Sequence, residues 1–389
     1  MRLRVLITGS RAPVAILLAR SLHAAGAVVY TADSLRPNFG QNSRTVTEDF
    51  CVPSPRFASH DCITALARLA REKQLDAIIP TCEETFALAA GRTNLPPSVR
   101  LLCPDIEVLE KLHHKGRGIA FAASLGLATP ETCGQADLTR EGILKRTYSR
   151  FSSHVIPLRG TRAQRQKAEA QKPPDNEGDG EWIWQEWILG KALCTYSLCH
   201  DGHVLAHAAY RTPYTVGLGA GIFYAAEHGP VYDVSLMAAQ KLAAATHYTG
   251  SLSLDFIEEA TGRLVLIEIN PRATMGLALL SHQPAFAACW KVLLRTHPAA
   301  RSSQPPSLDA KEGLILSGTG RRQLKVAMLL LGRERNWRDV FTTPDVLADP
   351  SDPGPARAAL RIYLAYAWQA KKKKLSTMAF STHDIEWNG

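Results

Sequence analysis

Features that would assign the chain to a membrane or to a secretory pathway are missing from its sequence. No apolar run approaches the roughly 20 consecutive residues that a membrane-spanning helix requires. Residues 1–9 have the pattern of a buried strand followed by a turn, without the apolar stretch and small-residue cleavage site of a signal peptide. These absences predict a cytoplasmic protein with no membrane span.

The chain also lacks the cysteine spacing of zinc and redox sites. Its cysteines are scattered and include no Cys-x-x-Cys pair. Isolated thiols are typical of proteins in a reducing compartment, so we expect neither disulfides nor a zinc site. The cysteines are Cys51, Cys62, Cys82, Cys103, Cys133, Cys194, Cys199 and Cys289.

The glycine fingerprint of dinucleotide-binding proteins is absent as well. Thr8 and Gly9 end a first strand and Asp33 ends a second, an arrangement that superficially resembles a nicotinamide site. Arg11 and Val14 stand where the Gly-x-Gly-x-x-Gly pattern needs glycines, and without them the backbone cannot approach a pyrophosphate. An NAD-dependent oxidoreductase is therefore a disfavoured alternative.

What the chain does contain is typical of a globular protein with more than one domain. Its 389 residues are 46% hydrophobic and 21% charged, which suits two or three domains with buried cores. The net charge is +9, partly because of four consecutive lysines at 371–374. Such a run could bind nucleic acid or a membrane surface, but a solvated face is the favoured interpretation.

Strands alternate with helices in the first part of the chain, as the periodicity of the apolar residues indicates. The strand patterns occupy residues 3–8, 28–33 and 77–80, and the helical patterns occupy residues 14–25, 60–73, 105–115 and 116–125. Alternation of this kind predicts an α/β domain with a parallel sheet and right-handed crossovers.

The middle of the chain changes to shorter strands and loops. Residues 142–145 predict a short strand that ends in a lysine, and residues 182–188 predict an apolar strand. Between them, the polar and Pro/Gly-rich stretch 157–181 predicts an exposed, mobile loop. Residues 298–310 are rich in Pro and Ser and resemble a linker.

Residues 255–272 combine a hairpin pattern with oxygen-bearing side chains. Two short apolar runs flank a Thr-Gly turn, as in a β-hairpin. Asp255 lies on the first strand, and Glu268 and Asn270 lie two apart on the second, so the latter two share a face. Two carboxylates and an amide oxygen on one face suit a hard cation such as Mg²⁺.

The strand residues next to those ligands should point away from the metal. Ile267 and Ile269 are expected to face a hydrophobic core, because side chains alternate along a strand. An ordinary strand with an incidental Glu and Asn is the alternative interpretation of this hairpin.

The order of these features resembles the ATP-grasp superfamily, especially its carbamoyl-phosphate-synthase-like and biotin-carboxylase-like ligases. The features are a parallel α/β domain, a strand ending in Lys, the segment Gln-Glu-Trp-Ile-x-Gly and a hairpin that closes with Ile-Glu-Ile-Asn-Pro-Arg. The segments at 51–55 and 79–84 are also similar to the pre-ATP-grasp domain of bacterial members. The resemblance covers about residues 1–290.

This resemblance implies an α/β fold with an N-terminal parallel-sheet (pre-ATP-grasp) domain and a two-lobed α+β ATP-grasp domain. We expect the Rossmann-like N-terminal domain at 1–105, the first lobe at 106–188, and the second lobe with the metal site at 189–297. Residues 298–389 would then form a C-terminal extension, to which the sequence assigns no role.

The resemblance also implies roles for single residues. Lys145 matches the strand lysine that contacts ATP phosphates, and Lys115 matches a second lysine of that kind. Arg272 matches an arginine that faces phosphate or an acyl-phosphate intermediate, and its planar fork suits such anions. Arg211 is a further candidate for that cluster. For Lys115, Lys145 and Arg211, an ordinary surface or structural charge is the alternative.

The nucleotide base and the metal have implied positions too. The strand between the lobes is expected to hold adenine through backbone groups, and Mg²⁺ (or Mn²⁺) is expected on the hairpin. The adenine residues are Gln185, Glu186, Trp187 and Ile188, and the metal ligands are Asp255, Glu268 and Asn270.

Two departures from the family pattern bear on nucleotide binding. Many members carry a glycine-rich loop after the strand lysine, whereas residues 150–155 contain no glycine. Members also tend to place a ribose-binding Glu two residues after the interlobe glycine, where this chain has Ala192. A nucleotide-binding module with reduced or lost catalysis therefore stays open as an alternative.

The reaction that the resemblance implies is ligation driven by ATP. A carboxylate is activated as an acyl phosphate and then joined to an amine, with no protein nucleophile. We expect a small-molecule carboxylate and amine as substrates and no nucleic acid, and a homodimer stays open. Residues of the 211–228 region should help to shape the acceptor site, namely Tyr214, Gly217, Gly219, Gly221 and Glu227.

Overall fold

The computed structural model of the chain describes residues 2–148, 155–173, 181–216, 220–295, 315–331 and 336–388. The first five strands are β1 (Arg4–Thr8), β2 (Val28–Asp33), β3 (Glu48–Cys51), β4 (Ala77–Ile79) and β5 (Arg100–Leu101). They form a parallel sheet in the order β3-β2-β1-β4-β5. The connecting helices include α1 (Pro13–Ala24), α2 (Ser59–Glu72) and α3 (Glu84–Ala90). The expected parallel α/β domain is confirmed.

Local chemistry explains the turn after β1 and the helix that follows it. Gly9 has a φ of +79°, and a Cβ atom there would lie 2.6 Å from the Thr81 Oγ1 atom. Only glycine therefore lets this loop pass so close to the end of β4. Pro13 then begins α1, where its fixed φ suits a helix and its missing N–H would have had no helical partner.

Two helices and a small antiparallel sheet follow the N-terminal domain. The helices are α4 (Ile106–His113) and α5 (Lys115–Ser124). The strands are β6 (Thr132–Cys133), β7 (Gly142–Arg146), β8 (Val155–Leu158) and β9 (Trp182–Glu186), in the order β6-β9-β7-β8. This sheet is the first lobe.

The expectation of a polar loop over residues 157–181 is wrong for much of that stretch. Its first residues belong to β8, and helix α6 (Arg162–Glu169) follows. The helix begins at a capping box, in which Thr161 and Gln164 each bond the other's backbone N–H. This local capping outweighs the polar composition on which the loop expectation rested. Residues 174–180 lie outside the described residues.

The second lobe is a larger, mainly antiparallel sheet. Its strands are β10 (Lys191–His200), β11 (His203–Arg211), β14 (Phe223–Glu227), β15 (Gly250–Glu258), β16 (Leu264–Asn270), β17 (Leu316–Ser317) and β18 (Arg321–Gln323), and β12 (Thr215–Val216) pairs separately with β13 (Ala220–Gly221). The order is β16-β15-β10-β11-β14-β18, with β17 beside β11. Helices α7 (Pro230–Thr246) and α8 (Pro284–Arg295) belong to the same region.

The residues expected as a C-terminal extension take part in both neighbouring units. Strands β17 and β18 return to the sheet of the second lobe. Helices α9 (Lys325–Leu331), α10 (Trp337–Thr342), α11 (Gly354–Lys372) and α12 (Thr377–Thr382) follow. Ile362 and Tyr366 of α11 share one buried core with Leu18 of α1 and with Leu277. The extension therefore joins the N-terminal domain to the second lobe.

A buried ion-pair network fastens the end of the chain to the N-terminal sheet. The Arg11 guanidinium lies 2.6 Å from an Asp33 oxygen and 2.5 Å from an Asp384 oxygen. Ser34 donates a further hydrogen bond of 2.6 Å to Asp384. Because Arg11 is only 5% exposed, its charge depends on both carboxylates for compensation.

The cysteines, the apolar helices and the run of lysines were also subjects of expectations from composition. All eight cysteines are free thiols, as expected. No helix within the described ranges is long and apolar enough to cross a membrane. The four lysines at 371–374 are exposed at the end of α11. The expected linker at 298–310 lies outside the described residues.

We predict that Arg11→Met destabilises the protein by about 3 kcal/mol, because it leaves two carboxylates of the buried network without their cation. Urea denaturation followed by circular dichroism measures the change. Arg71→Met on α2 is the matched control, since Arg71 is exposed and should change stability by less than about 0.5 kcal/mol. Equal stability of the two variants would contradict the structural role given to Arg11.

Candidate active site

Lys145 lies where the first lobe meets the second. It is near the end of β7, and its side chain is buried. Its Nζ donates to the Gln185 Oε1 atom at 2.8 Å, within the first lobe, and to the Ile267 carbonyl at 3.2 Å, in the second. One ammonium group thus connects the two sheets at their junction, which we call the interlobe cleft.

Lys115 brings a second buried cation to the same place. It begins α5, and the preceding His114 caps this helix by accepting from the N–H groups of Gly116 and Arg117. The Lys115 N–H also donates to the Thr147 carbonyl at 3.1 Å. These contacts orient a side chain that is 3% exposed, and its Nζ lies 3.1 Å from the Glu268 Oε1 atom.

A β-bulge turns the carboxylate of Glu268 toward these lysines. Asp255 pairs with Glu268, but the next residue, Phe256, pairs with Leu266, so Ile267 is an extra residue on β16. Without the bulge, Glu268 and Asn270 would share the buried face of Leu266. The bulge also frees the Ile267 carbonyl, which accepts from Lys145.

The expectation that Ile267 faces the core is therefore wrong. Ile267 is half-buried and lies in the bulge, whereas Ile269 belongs to the core as expected. The physical reason is that one inserted residue reverses the alternation of side chains along the strand. The side chains of Glu268, Ile269 and Asn270 alternate between the two faces of the sheet, because these residues follow the bulge.

The three expected metal ligands lie side by side on the hairpin. Asp255 faces Glu268 across the strand pair, and Asn270 donates from Nδ2 to the Asp255 Oδ2 atom at 2.9 Å. Arg272 donates to the Asn270 Oδ1 atom at 3.3 Å. The Nε atom of Arg272 also lies 3.7 Å from the Glu83 Oε1 atom, a contact that reaches the N-terminal domain.

Burial and mutual charge perturb the titration of this cluster. Burial lowers the pKa of Lys145 to about 8, although the nearby carboxylates oppose the shift. Burial and the charge of Glu268 raise the pKa of Asp255 to about 6. Burial alone would also raise the pKa of Glu268, but Lys115 and Lys145 outweigh it and hold that pKa below its usual value. Perturbed groups of this kind are typical of functional sites.

The expected adenine strand is shorter than the sequence predicts. Strand β9 ends at Glu186, so Trp187 and Ile188 lie beyond it. The N–H groups of Glu186 and Trp187 donate to the carbonyls of Glu131 and Glu141, at 2.9 and 3.4 Å. Those two N–H groups are engaged inside the first lobe, and an adenine ring at this strand would need other partners.

Arg211 does not join the lysine and carboxylate cluster. Tyr210 is on the same sheet face as Asp255, and Arg211, the next residue along β11, is on the opposite face. It donates to the Ala192 carbonyl at 2.9 Å, forms an ion pair of 3.5 Å with Glu227, and is also bonded to Glu258. These contacts make Arg211 a link between strands β10, β14 and β15.

Some residues that were expected near the cleft contact other elements instead, and others lie outside the described residues. Tyr214 donates to the Asp339 Oδ2 atom of α10 at 2.7 Å, and Gly221 pairs with Thr215 in the small hairpin. Gly217 and Gly219 lie outside the described residues, as does most of the loop at 150–155. Ala192 is exposed beside the cleft and supplies no side-chain acceptor.

The NAD alternative finds no support in the geometry of the N-terminal domain. Asp33, which would have to hold a ribose hydroxyl, accepts instead from the Arg11 backbone at 2.7 Å and from the Arg11 guanidinium. The space beside Gly9 is reduced to a cavity of about 10 Å³, and Ile385 of the C-terminal segment is one of the residues that line it.

Two contributions to the cleft escaped the sequence analysis. Glu83 follows the buried strand β4 at its carboxyl end, and this position was the available signal for a functional carboxylate. Gln185 contributes its side chain as well as its backbone, because its Oε1 anchors Lys145 and its Nε2 donates to Thr132 at 3.1 Å. No sequence pattern predicts that second contact.

Comparison with known proteins supports the fold. No family model and no curated protein sequence matches the chain. Among solved structures, biotin carboxylase from Campylobacter jejuni, in a complex with β,γ-ATP, has a TM-score of 0.60 at 14% identity, over 75% of this chain and 71% of that one.

Two more structures show the same similarity. L-amino acid ligase from Bacillus licheniformis has a TM-score of 0.55 at 14% identity, over 76% of this chain and 74% of that one. A third structure is the biotin carboxylase domain dimer of 2-oxoglutarate carboxylase from Hydrogenobacter thermophilus, in a complex with MgADP, ADP and bicarbonate. It has a TM-score of 0.57 at 15% identity, over 74% of this chain and 70% of that one. All three neighbours are ATP-grasp enzymes, and this chain has the ATP-grasp fold.

We predict that Mg²⁺–ATP, used as a probe of this charged cluster, binds most tightly between about pH 6 and pH 8. Below this window Asp255 is protonated and neutral, so it loses its attraction for a metal ion. Above the window Lys145 is neutral and loses its attraction for phosphate. Affinity should fall by up to about tenfold per pH unit beyond either limit. Calorimetric titration across pH 5–10 measures it.

The variant Lys145→Arg tests the alkaline limit, because a guanidinium stays charged throughout this range. Its affinity should no longer fall above pH 8. The control Lys167→Arg on the exposed face of α6 should keep the wild-type profile. An alkaline loss that persists in Lys145→Arg would remove Lys145 as its cause.

Proposed function

We propose that the protein is an ATP- and Mg²⁺-dependent ligase that activates a carboxylate as an acyl phosphate and joins it to an amine. The observation that carries this proposal is the meeting of two buried lysines with an oxygen-rich strand pair at the boundary of two lobes. Lys145 contacts both lobes, and Lys115 lies 3.1 Å from Glu268. Cations and oxygen ligands placed together suit a nucleoside triphosphate with its metal.

The proposed metal ligands fit Mg²⁺ (or Mn²⁺) by their chemistry. Asp255, Glu268 and Asn270 offer only oxygen donors of the kind that hard cations prefer. No cluster of three or more His, Cys, Asp and Glu side chains that could hold a metal occurs in the described ranges. Two carboxylates and one amide leave positions for phosphate and water, which Mg²⁺ commonly keeps. When bound, the ion would offset negative charge on the phosphates.

The lysines would act on the phosphates of ATP. In the ligand-free protein, Lys115 compensates Glu268, and Lys145 is held by an amide and a carbonyl. Replacement of these neutral acceptors by phosphate oxygens would favour the charged form of Lys145, because an opposite charge nearby raises an amine's pKa. Both side chains are preorganised by burial, so little reorientation is needed.

Arg272 would serve the next step, in which the substrate carboxylate becomes an acyl phosphate. Its guanidinium touches Asn270 of the metal set and reaches toward Glu83 of the N-terminal domain. A planar cation at this junction could hold the transferred phosphoryl group while an amine attacks the acyl carbon. The Bacillus licheniformis neighbour is an L-amino acid ligase, which favours testing amino acids as both partners.

A nucleotide-binding module with reduced or lost catalysis is the second candidate. Ala192 favours it, because alanine cannot hold a ribose hydroxyl at the position where the related pattern has Glu. Tight binding of Mg²⁺–ATP without phosphate release on any carboxylate would support the module. Phosphate release that depends on both an acid and an amine would support the ligase.

We predict that Glu268→Gln and Asn270→Ala each lower turnover by about 100-fold or more. Each variant removes a ligand of the metal ion, and the charge stabilisation that a bound metal gives to the transition state is worth several kcal/mol. Turnover is measured as phosphate release and as condensed product from a panel of amino acid pairs. Circular dichroism checks that the fold is kept.

The control for these variants is Glu259→Gln, at the turn of the same hairpin. Glu259 makes only a peripheral pair with Arg263 at 3.4 Å and should keep wild-type turnover. Full activity in both Glu268→Gln and Asn270→Ala would reject the metal assignment, even if the protein proved to be a ligase.

A further inference from the structure

A cavity of about 390 Å³ lies away from the interlobe cleft, between the N-terminal sheet and the C-terminal helices. One wall comes from the loops that follow β2 and β3, at the carboxyl edge of the parallel sheet, with Leu35 and Pro53 among them. The other wall comes from the end of α11 and from α12 and the residues after it. Its size matches small-molecule sites, which begin at about 300 Å³.

The charged groups that line this cavity leave it electropositive. Asp384 is the one carboxylate among the lining residues, and it is bonded to Arg11 and Ser34. Those bonds hold the pKa of Asp384 below its usual value, and Arg11 balances its charge. The cations that line the cavity, Arg36 and Lys373, face no other lining carboxylate.

The two cations differ in whether a carboxylate of the protein already neutralises their positive charge. Arg36 lies 3.0 Å from Asp49, a carboxylate outside the lining. Lys373 forms no ion pair with any carboxylate in the described part of the chain, and its Nζ lies 5.6 Å from the Phe380 ring centroid. Lys373 is therefore the cation available to an anionic ligand.

The rest of the lining is partly apolar and aromatic. Phe57 is 59% exposed, which is unusual for a phenylalanine, and its ring lies 5.1 Å from the ring of His383. Phe380 and Val52 are buried and line the interior. An exposed aromatic beside a lysine suits a ligand with an apolar body and a charged end.

We propose that this cavity binds a small organic anion, with Lys373 holding its carboxylate or phosphate group and Phe57 packing against its apolar body. The site is separate from the nucleotide cleft, since none of its lining residues is among the lysines, carboxylates and Arg272 described there. It gives the C-terminal segment a role in ligand binding, because five of the twelve lining residues come from that segment.

The test uses benzoate, phenyl phosphate and neutral benzyl alcohol as probes, each titrated calorimetrically into the full-length protein. We expect one or both anions to bind and benzyl alcohol to bind at least about tenfold more weakly, since the neutral probe cannot accept a charge-assisted hydrogen bond between two opposite charges. A preference for benzoate identifies a carboxylate ligand, and a preference for phenyl phosphate identifies a phosphate ligand. Failure of both anions to bind overturns the proposal.

Variants locate the binding. Lys373→Gln should weaken anion binding about tenfold, and Phe57→Ala should weaken it by a smaller factor. Lys371→Gln and Phe341→Ala are matched controls, because they remove the same groups at exposed positions outside the cavity and should leave the affinity unchanged. Equal weakening by Lys373→Gln and Lys371→Gln would show general charge attraction and reject the site.

A cleft variant separates this proposal from the proposed ligase function. Lys145→Gln removes a cation of the interlobe cleft and should leave the binding of the anionic probes unchanged. Loss of probe binding in Lys145→Gln, with retention in Lys373→Gln, would place the probes in the cleft and overturn the cavity site. Neither result depends on whether the protein proves to be a ligase.

Discussion

The need to compensate two buried lysines governs the arrangement of the cleft. Lys115 and Lys145 are almost fully buried, and a buried ammonium is stable only beside acceptors or opposite charge. Glu268 supplies the charge, while Gln185 and the Ile267 carbonyl supply the acceptors. These partners come from both lobes, so the same contacts that stabilise the lysines also hold the lobes together. A polyanion entering the cleft would meet charge that is already oriented.

One inserted residue makes this compensation possible. The bulge at Ile267 turns Glu268 and Asn270 from the buried face of the sheet to the cleft, opposite Asp255. The same bulge frees a backbone carbonyl for Lys145. A regular strand would have buried Glu268 in apolar surroundings without a partner, at a large cost in free energy. The irregularity is therefore part of the site.

The N-terminal domain and the end of the chain form a second, separate unit of polar packing. Arg11 covers Asp33 and pairs with Asp384, so the crevice where such folds often hold a nucleotide is largely filled from within. Glu83, at the carboxyl end of β4, instead faces Arg272 of the second lobe. The N-terminal sheet thereby contributes Glu83 to the interlobe cleft. Its crevice beside β2 is covered by the C-terminal segment.

The sequence by itself determined the alternating α/β start and the hairpin, and it placed Lys145, Asp255, Glu268 and Asn270 on strands, because periodicity and local motifs encode strands. Tertiary structure alone decided the bulge at Ile267 and every contact between distant segments. It also decided where the last 75 or so residues pack, as the burial of α11 against α1 shows. The physical reason is that register, bulges and long-range ion pairs depend on which segments meet, and that information is absent from local pattern.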